Sequence, residues 1–144
     1  MRTVRDVLSK KGPDVAAVCR TASVMEAARL MSDRRIGALV VTDGENVVGV
    51  FTERDLMNRV VAVQRPADVT QVGDVMTSPC ACCRPETTLA ECRDVMSAKR
   101  IRHLPVVEGG RLCGMVSTGD VLAAEAKNQE TTIEYLHQYI YGRT

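Results

Sequence analysis

The stretch "GVFTERDL", Gly49 to Leu56, is nearly repeated as "GMVSTGDVL", Gly114 to Leu122. Each copy begins with glycine and two apolar residues, continues with a hydroxyl residue, and then reaches an aspartate. The spacing of 65 residues extends backward from both copies without gaps. Identical pairs at this spacing include Glu26/Glu91, Met31/Met96, Arg35/Arg100, Ile36/Ile101, Leu39/Leu104, Val41/Val106 and Asp55/Asp120. A repeat of this kind predicts two copies of one structural unit.

Each unit is predicted to run β-α-β-β-α. A β-rich run ("VAAVC" from Val15, "CACC" from Cys80) precedes an amphipathic helix with a capping-box spacing at its start (Ser23/Glu26, Thr88/Glu91). Two strands then follow around hairpin turn residues, "DGEN" in one unit and "GG" in the other. A second helix begins at Thr52 or Ser117. We expect an α/β (α+β) fold in which the units pack about a pseudo-twofold axis, because neither would bury its sheet alone.

The chain divides into units 1–64 and 65–127, joined by the polar stretch "QRPADVTQ". A second match, "VRDVLS" from Val4 and "VGDVMT" from Val72, precedes the two copies at a slightly different spacing. Residues 128–144 are predicted to form an amphipathic helical tail with Ile133, Leu136 and Ile140 on one face. That face either packs on its own unit or serves self-association, which the nearby tyrosines favour.

Composition is that of a globular protein of 144 residues, with 45% hydrophobic and 26% charged residues. The net charge of +1 lacks the strong basic excess that is typical of proteins that bind nucleic acid or an anionic membrane. No apolar run reaches the roughly 18–20 residues of a membrane span, and the charged N-terminus lacks the apolar core of a secretory signal. We therefore expect a cytoplasmic protein whose six cysteines are thiols.

The repeated motifs resemble the cystathionine β-synthase (CBS) domain, and their tandem arrangement resembles a CBS pair, or Bateman module. The resemblance covers about residues 3–127. It is carried by "DVLS"/"DVMT", "RRIGALVV"/"KRIRHLPVV" and "GVFTERD"/"GMVSTGD". It implies a stand-alone regulatory module that binds an adenosine-containing ligand in two clefts between the repeats: AMP foremost, otherwise ADP, ATP, NAD or S-adenosylmethionine. It also implies assembly as a homodimer.

The resemblance assigns the repeated aspartate to the ribose hydroxyls, and the nearby hydroxyl residue to the ribose or phosphate. By position this nominates Thr52 with Asp55, and Ser117 with Asp120. The same residues are first of all a helix-capping pattern. A capping box prefers Glu or Gln at its third position, and the shorter arm of aspartate favours an additional role in ligand binding. The helix N-terminus also attracts phosphate.

The two clefts are predicted to differ. Arg102 and His103 of the second copy stand where the first has Gly37 and Ala38, so one cleft has an "IGAL" wall and the other an "IRHLP" wall that includes Pro105. We expect unequal affinities, or a phosphate shared between the halves. Other candidate phosphate cations, which are equally explained as solvated helix ends, are Arg34, Arg35, Arg54, Lys99 and Arg100.

Two alternatives stay open beside a nucleotide sensor: a protein-interaction scaffold with unoccupied clefts, and a zinc- or redox-linked module. The second would use Cys80, Cys82 and Cys83, although the run aligns with the apolar "VAAV", which favours small buried thiols filling a core. No nucleophile–base pair or phosphate-cradling glycine loop is present in the sequence, so we do not expect an enzyme. The regulated effector would be another protein.

Overall fold

The structure is a computed structural model that describes residues 2–12 and 14–126. The predicted helix at 128–144 lies outside these residues. The elements, in chain order, are α1 (Val4–Lys11), β1 (Ala17–Cys19), α2 (Val24–Arg34), β2 (Ala38–Asp43), β3 (Asn46–Thr52), α3 (Glu53–Leu56) with a π-helical continuation (Met57–Val61), α4 (Val72–Val75), α5 (Leu89–Lys99), β4 (His103–Glu108), β5 (Arg111–Ser117) and α6 (Thr118–Ala126). None of the described helices is long and apolar enough to cross a bilayer.

Two hairpins, β2–β3 and β4–β5, are built alike. Each has a two-residue turn, where glycines at φ 63° (Gly44) and φ 59° (Gly109) adopt the left-handed conformation that other residues avoid. The register shifts after Val41 in one hairpin and after Val106 in the other. These bulges occupy equivalent positions of the repeat, so the predicted duplication is confirmed in three dimensions.

The five strands form one sheet in the order β1-β2-β3-β5-β4. The two hairpins join where Asn46 pairs with Arg111. The prediction of a strand at "CACC" is wrong, because only Cys83 pairs, in a single bridge to Val106. The reason is the path of the chain: Thr77 is hydrogen-bonded to β3 and Cys83 to β4, so the segment between them crosses from one strand to another.

Side-chain alternation along the strands separates three hydrophobic cores. In the first repeat, Leu39, Val41 and Phe51 face α2, while Val40 and Val50 face the opposite repeat. The second repeat has its own core under α5, built on Leu104, Val106 and Val116. The third core lies between the repeats and consists of Ala38, Val40, Val50 and Met115. This shared core covers the second face of the sheet, opposite the face that packs on α2 and α5.

Helices α2 and α5 begin and end alike. Thr88 and Glu91 form the complete predicted capping box, whereas Ser23 only accepts the N–H of Glu26. Both helices end on an arginine with φ 54°, Arg35 and Arg100. This left-handed residue turns the chain directly into the following strand.

The short helices α1 and α4 are exchanged between the repeats. Val4 and Val7 of α1 are buried in the core of the second repeat. Val72 and Val75 of α4 are buried in the core of the first. The leading helix of each sequence repeat therefore packs in the core of the other repeat. The chain crosses between units 1–64 and 65–127 twice as a result, which holds the two units together.

The glycines of the repeated motif permit this exchange. A Cβ at Gly49 would lie 2.7 Å from the carbonyl oxygen of Thr77, and a Cβ at Gly114 would lie 2.7 Å from Leu8 Cδ2. Real Cβ atoms do not approach neighbours so closely. Gly49 is therefore required by the backbone that packs across it, whereas the neighbour of Gly114 is the end of a side chain, which can shift.

Candidate functional site

Asp55 is buried and its carboxylate is fully used by the protein. Thr52 caps α3: the Thr52 N–H donates to Asp55 Oδ2 at 3.0 Å, and the Asp55 N–H donates to Thr52 Oγ1 at 3.2 Å. The Thr77 hydroxyl donates to Asp55 Oδ1 at 2.9 Å, and Arg59 Nε lies 3.7 Å from the same oxygen. The Asp55 side chain is only 6% exposed. A ligand would have to displace these partners to reach it.

Asp120 makes the same cap but stays accessible. The Ser117 N–H donates to Asp120 Oδ2 at 2.9 Å, and the Asp120 N–H donates to Ser117 Oγ at 3.1 Å. Lys11 Nζ lies 2.7 Å from Asp120 Oδ2 and also donates to the Met115 carbonyl at 2.9 Å. The Asp120 side chain is 23% exposed. The equivalent aspartates are therefore in different environments.

The argument from the short arm of aspartate is wrong. Asp55 and Asp120 both reach the amide of the capping residue, so each completes a reciprocal cap without Glu or Gln. What distinguishes these aspartates is a third group, contributed by the exchanged leading segment of the other repeat. Thr77 follows α4 and reaches Asp55, whereas Lys11 ends α1 and reaches Asp120. Neither Thr77 nor Lys11 was predicted from the sequence, where their only signal is the paired "VRDVLS" and "VGDVMT" match.

The predicted contrast between Gly37 and Arg102 is accompanied by a second difference between the repeats, Glu53 in the first and Thr118 in the second. Gly37 O accepts the Glu53 N–H at 3.0 Å, and Arg102 O accepts the Thr118 N–H at 2.9 Å, so these pairs are structurally equivalent. The Glu53 side chain occupies the space that a side chain at Gly37 would need. The first repeat thus presents a carboxylate where the second presents a guanidinium, and only the second favours an anion.

His103 lies at the start of β4, opposite Ser117 across the hairpin. Burial lowers its pKa, and the charges of Lys11 and Arg102 lower it further, outweighing the opposite effects of Asp120 and Glu53. The imidazole is accordingly neutral at pH 7. Among the other wall residues, Pro105 is buried opposite Met115. Ala38, which stands in the first repeat where the second has His103, is buried in the core between the repeats.

Two cavities flank the start of α6. The α5–α6 cavity has a volume of about 530 Å³ and brings Arg54 of the first repeat beside Arg102 of the second. Arg93, which pairs with Glu125, and Arg100 also line it. The α1–α6 cavity has a volume of about 720 Å³, within the usual range for small-molecule sites. Its wall contains Asp120, Lys11 and Lys10.

The structure therefore divides the accessible predicted residues between two cavities. Asp120 lies on the α1–α6 cavity, while Arg54 and Arg102 lie on the α5–α6 cavity. The predicted residues of the first repeat are less available: Asp55 is closed off by Thr77 and Arg59, and Gly37 is covered by Glu53. The accessible polar groups are concentrated around α6.

The family model of the CBS domain matches residues 4–62 and again 72–127. The chain belongs to the CBS-domain family. It is 33% identical over 149 aligned residues to the mitochondrial CBS domain-containing protein CBSX3 of Arabidopsis thaliana, which covers 97% of this chain and 72% of that protein. It is 30% identical to the CBS domain-containing protein YhcV of Bacillus subtilis, covering 90% of this chain and 89% of that one.

Solved CBS structures share the fold. The CBS-domain containing protein ATU1752 of Agrobacterium tumefaciens superposes with a TM-score of 0.79 at 42% identity, covering 85% of this chain and 98% of that one. Hypoxic Response Protein I, a structure with two coordinated zinc ions, superposes with a TM-score of 0.75 at 25% identity, covering 86% and 99%. Among the described residues of this CBS pair, no group of His, Cys, Asp and Glu is arranged to hold a metal ion.

Proposed function

We propose that this CBS pair is a regulatory module that binds an adenine nucleotide chiefly at the second repeat, around the start of α6, with Ser117 and Asp120 at the ribose and with Arg102, which lines the neighbouring cavity, at the phosphate. The observation that carries the proposal is the inequality of the two aspartates. Asp120 lies on the wall of a cavity with cations beside it, whereas Asp55 is buried among protein partners. The first cleft binds the same ligand weakly or leaves it unbound.

The chemistry of the second repeat suits a nucleotide. A partly exposed carboxylate accepts hydrogen bonds from a ribose diol, as acidic residues do in dinucleotide sites. Arg102 and Lys11 supply positive charge for phosphate, and the N-terminus of α6 adds the positive end of its helix dipole. Neutral His103 contributes a hydrogen bond rather than a charge. In the first repeat the Glu53 carboxylate occupies the space beside Gly37, the counterpart of Arg102, and repels phosphate there.

The choice of an adenine nucleotide rests on the family. CBSX2 has the same fold, with a TM-score of 0.71 at 24% identity, and was solved in complex with AMP. AMP is the first ligand to test, followed by ADP, ATP and NAD. The ligand would regulate by linkage, since it stabilises whichever arrangement of the repeats binds it better. The effector is then a separate protein that distinguishes those arrangements.

A thermal-shift series with AMP, ADP, ATP, NAD and S-adenosylmethionine tests the proposal. We expect stabilisation by at least one of them, and its loss in Arg102→Ala, because a charge-assisted hydrogen bond to phosphate is worth about tenfold or more in affinity. Arg29→Ala removes an exposed arginine from the opposite repeat and should leave the shift unchanged. No shift with any ligand at millimolar concentration would contradict the proposal.

A scaffold with unoccupied clefts is the second candidate. It is favoured by Asp55, whose buried oxygens already accept hydrogen bonds from Thr52 and Thr77 and need no ligand. The ligand series separates the two candidates. A scaffold would show no stabilisation by nucleotides and no effect of Arg102→Ala.

We also propose a homodimer formed by the helices that follow β3 and β5. Met57 and Leu122 occupy equivalent positions of the repeat and are 57% and 59% exposed. Large apolar side chains of this exposure, placed alike in both repeats, suit a symmetric contact. Met57→Lys with Leu122→Lys should convert a dimer to a monomer in sedimentation equilibrium. Val69→Lys, at a residue 71% exposed on the linker, is the control and should not. A monomeric parent protein would overturn the proposal.

A further inference from the structure

Two thiols of the segment that crosses between the repeats lie in contact. Cys80 Sγ and Cys82 Sγ are 3.7 Å apart, which is hydrogen-bond distance for two sulfur atoms. Cys82 is exposed, and Cys80 is partly buried against the core between the repeats. The pair is therefore both close enough to react with itself and open to solvent on one side.

The other cysteines are placed differently. Cys83 and Cys92 are buried in the core of the second repeat, and Cys113 is packed against that core. Cys19 is exposed, but its sulfur contacts the Thr21 hydroxyl at 3.3 Å rather than another thiol. An accessible pair of sulfurs thus occurs at Cys80 and Cys82 alone among the six cysteines.

The electrostatics divide the pair into a nucleophile and a partner. The hydrogen bond from Cys82 lowers the pKa of Cys80 to about 7, although burial opposes the shift. The same hydrogen bond raises the pKa of Cys82, with burial adding to the effect. At neutral pH Cys80 therefore has substantial thiolate character, which is the reactive form of cysteine, while Cys82 keeps its proton.

The segment that carries the pair is fixed to both repeats. Thr77 exchanges two backbone hydrogen bonds with Val50 of β3, at 3.0 and 2.8 Å. The Cys83 N–H donates to the Pro105 carbonyl at 2.9 Å, and Cys83 O accepts the Val107 N–H at 2.8 Å. These anchors hold the thiols together, and they link any change at Cys80 to the contact between the repeats.

We propose that Cys80 and Cys82 form a redox-active dithiol that hydrogen peroxide oxidises to an intramolecular disulfide. The Cys80 thiolate attacks the peroxide oxygen, the O–O bond breaks, and hydroxide leaves to be protonated to water. The sulfenic acid on Cys80 is then attacked by the Cys82 sulfur, which loses its proton as a second water departs. Two thiols have lost two electrons and two protons, and the hydrogen peroxide has been reduced. A dithiol reductant reverses the reaction by thiol–disulfide exchange.

Differential alkylation of the full chain tests this proposal. The reduced protein is treated with one equivalent of hydrogen peroxide, free thiols are blocked with iodoacetamide, and the sample is reduced and labelled with N-ethylmaleimide. We expect the maleimide on Cys80 and Cys82 together, and an unlabelled oxidised protein lighter by two hydrogen atoms. Maleimide on another pair, a disulfide-linked dimer, or sulfinic acid at Cys80 without a disulfide would overturn the proposal.

Two exposed sites give matched variants. Cys82→Ala should abolish the maleimide labelling and should slow alkylation of Cys80 at pH 7 by removing the hydrogen bond that favours its thiolate. Cys19→Ala removes the unpaired exposed thiol and should leave the disulfide yield and the rate at Cys80 unchanged. If two cysteines of Cys82→Ala still acquire maleimide after oxidation, the assignment of the pair is wrong. It is also wrong if Cys80 of this variant is alkylated as fast as Cys80 of the parent.

Discussion

Asp55 and Asp120 occupy equivalent positions, but they differ in how completely their oxygens are used. Asp55 accepts hydrogen bonds from Thr52 and Thr77 inside the protein, whereas Asp120 faces a cavity beside Lys11. The repeat in the sequence predicts the position of both residues and their caps. It does not predict the difference, because Thr77 and Lys11 arrive from segments far along the chain.

The glycine that opens each motif gives a prediction at the residue scale. Gly49→Ala should destabilise the protein by about 1–3 kcal/mol, because the new methyl group meets the backbone oxygen of Thr77. Gly119→Ala, in the helix of the second motif, meets only Ser117 Oγ at 3.6 Å and should stabilise by up to about 1 kcal/mol. Urea unfolding measures both. Equal effects of the two substitutions would contradict the close approach.

The ion pair at Asp120 predicts a dependence on pH. Burial raises the pKa of Asp120, but the hydrogen bonds from Lys11 and Ser117 outweigh it, so the folded-state pKa lies below the ordinary 3.8. Its contribution is therefore fully present above the unfolded pKa and disappears as the pH falls through the folded pKa. We expect Asp120→Asn to be less stable than the parent near neutral pH, and the difference to vanish in strong acid.

Urea unfolding across the acid range measures this difference. Asp94→Asn, at an exposed position of α5, is the control and should differ little from the parent at any pH. A gap between the parent and Asp120→Asn that stays constant down to strong acid would rule out the stabilising role of the ionised carboxylate.

At the scale of elements, the hairpins and the long helices follow directly from local sequence. The turn glycines and the alternating apolar residues predict β2–β3 and β4–β5 close to their observed bounds. "CACC" does not form the predicted strand because it belongs to a crossing segment that is hydrogen-bonded to β3 at Thr77 and to β4 at Cys83. That path depends on tertiary contacts and has no local signal.

The exchange of α1 and α4 was likewise not predictable. Their sequences "VRDVLS" and "VGDVMT" carry valines at the same two positions, so either helix suits either core by composition. The buried valines make this exchange testable, since each should support the repeat on which it packs rather than the repeat to which it belongs in sequence.

Native-state hydrogen exchange makes that comparison. Val4→Ala removes a fully buried side chain, and should cost about 1–3 kcal/mol and lower amide protection in β4 and β5. Val72→Ala should instead lower protection in β2 and β3. Loss of protection in the opposite hairpins would contradict the exchanged packing. If both variants lower protection uniformly, the repeats unfold as one unit, and the comparison moves to milder Val→Thr substitutions at the same sites.

At the scale of the whole molecule, duplication builds two equivalent capped aspartates, and local substitutions make their surroundings unequal. Arg102 replaces Gly37, Thr118 replaces Glu53, and Lys11 reaches Asp120 where Thr77 reaches Asp55. The first replacement was visible in the sequence and led to the prediction of unequal sites, which stays a prediction. The second is also present in the quoted motifs, but the contact of Glu53 with Gly37 and the approach of Lys11 and Thr77 required the structure, because they depend on which side chains meet across the repeat.

Isothermal titration of AMP into the parent protein, Asp55→Asn and Asp120→Asn tests this inequality most directly. We predict one strong site per chain in the parent, the same site with little change in affinity in Asp55→Asn, and its loss in Asp120→Asn. Circular dichroism of each variant checks that it is folded. Undiminished binding in Asp120→Asn, or equal weakening by both substitutions, would contradict the account.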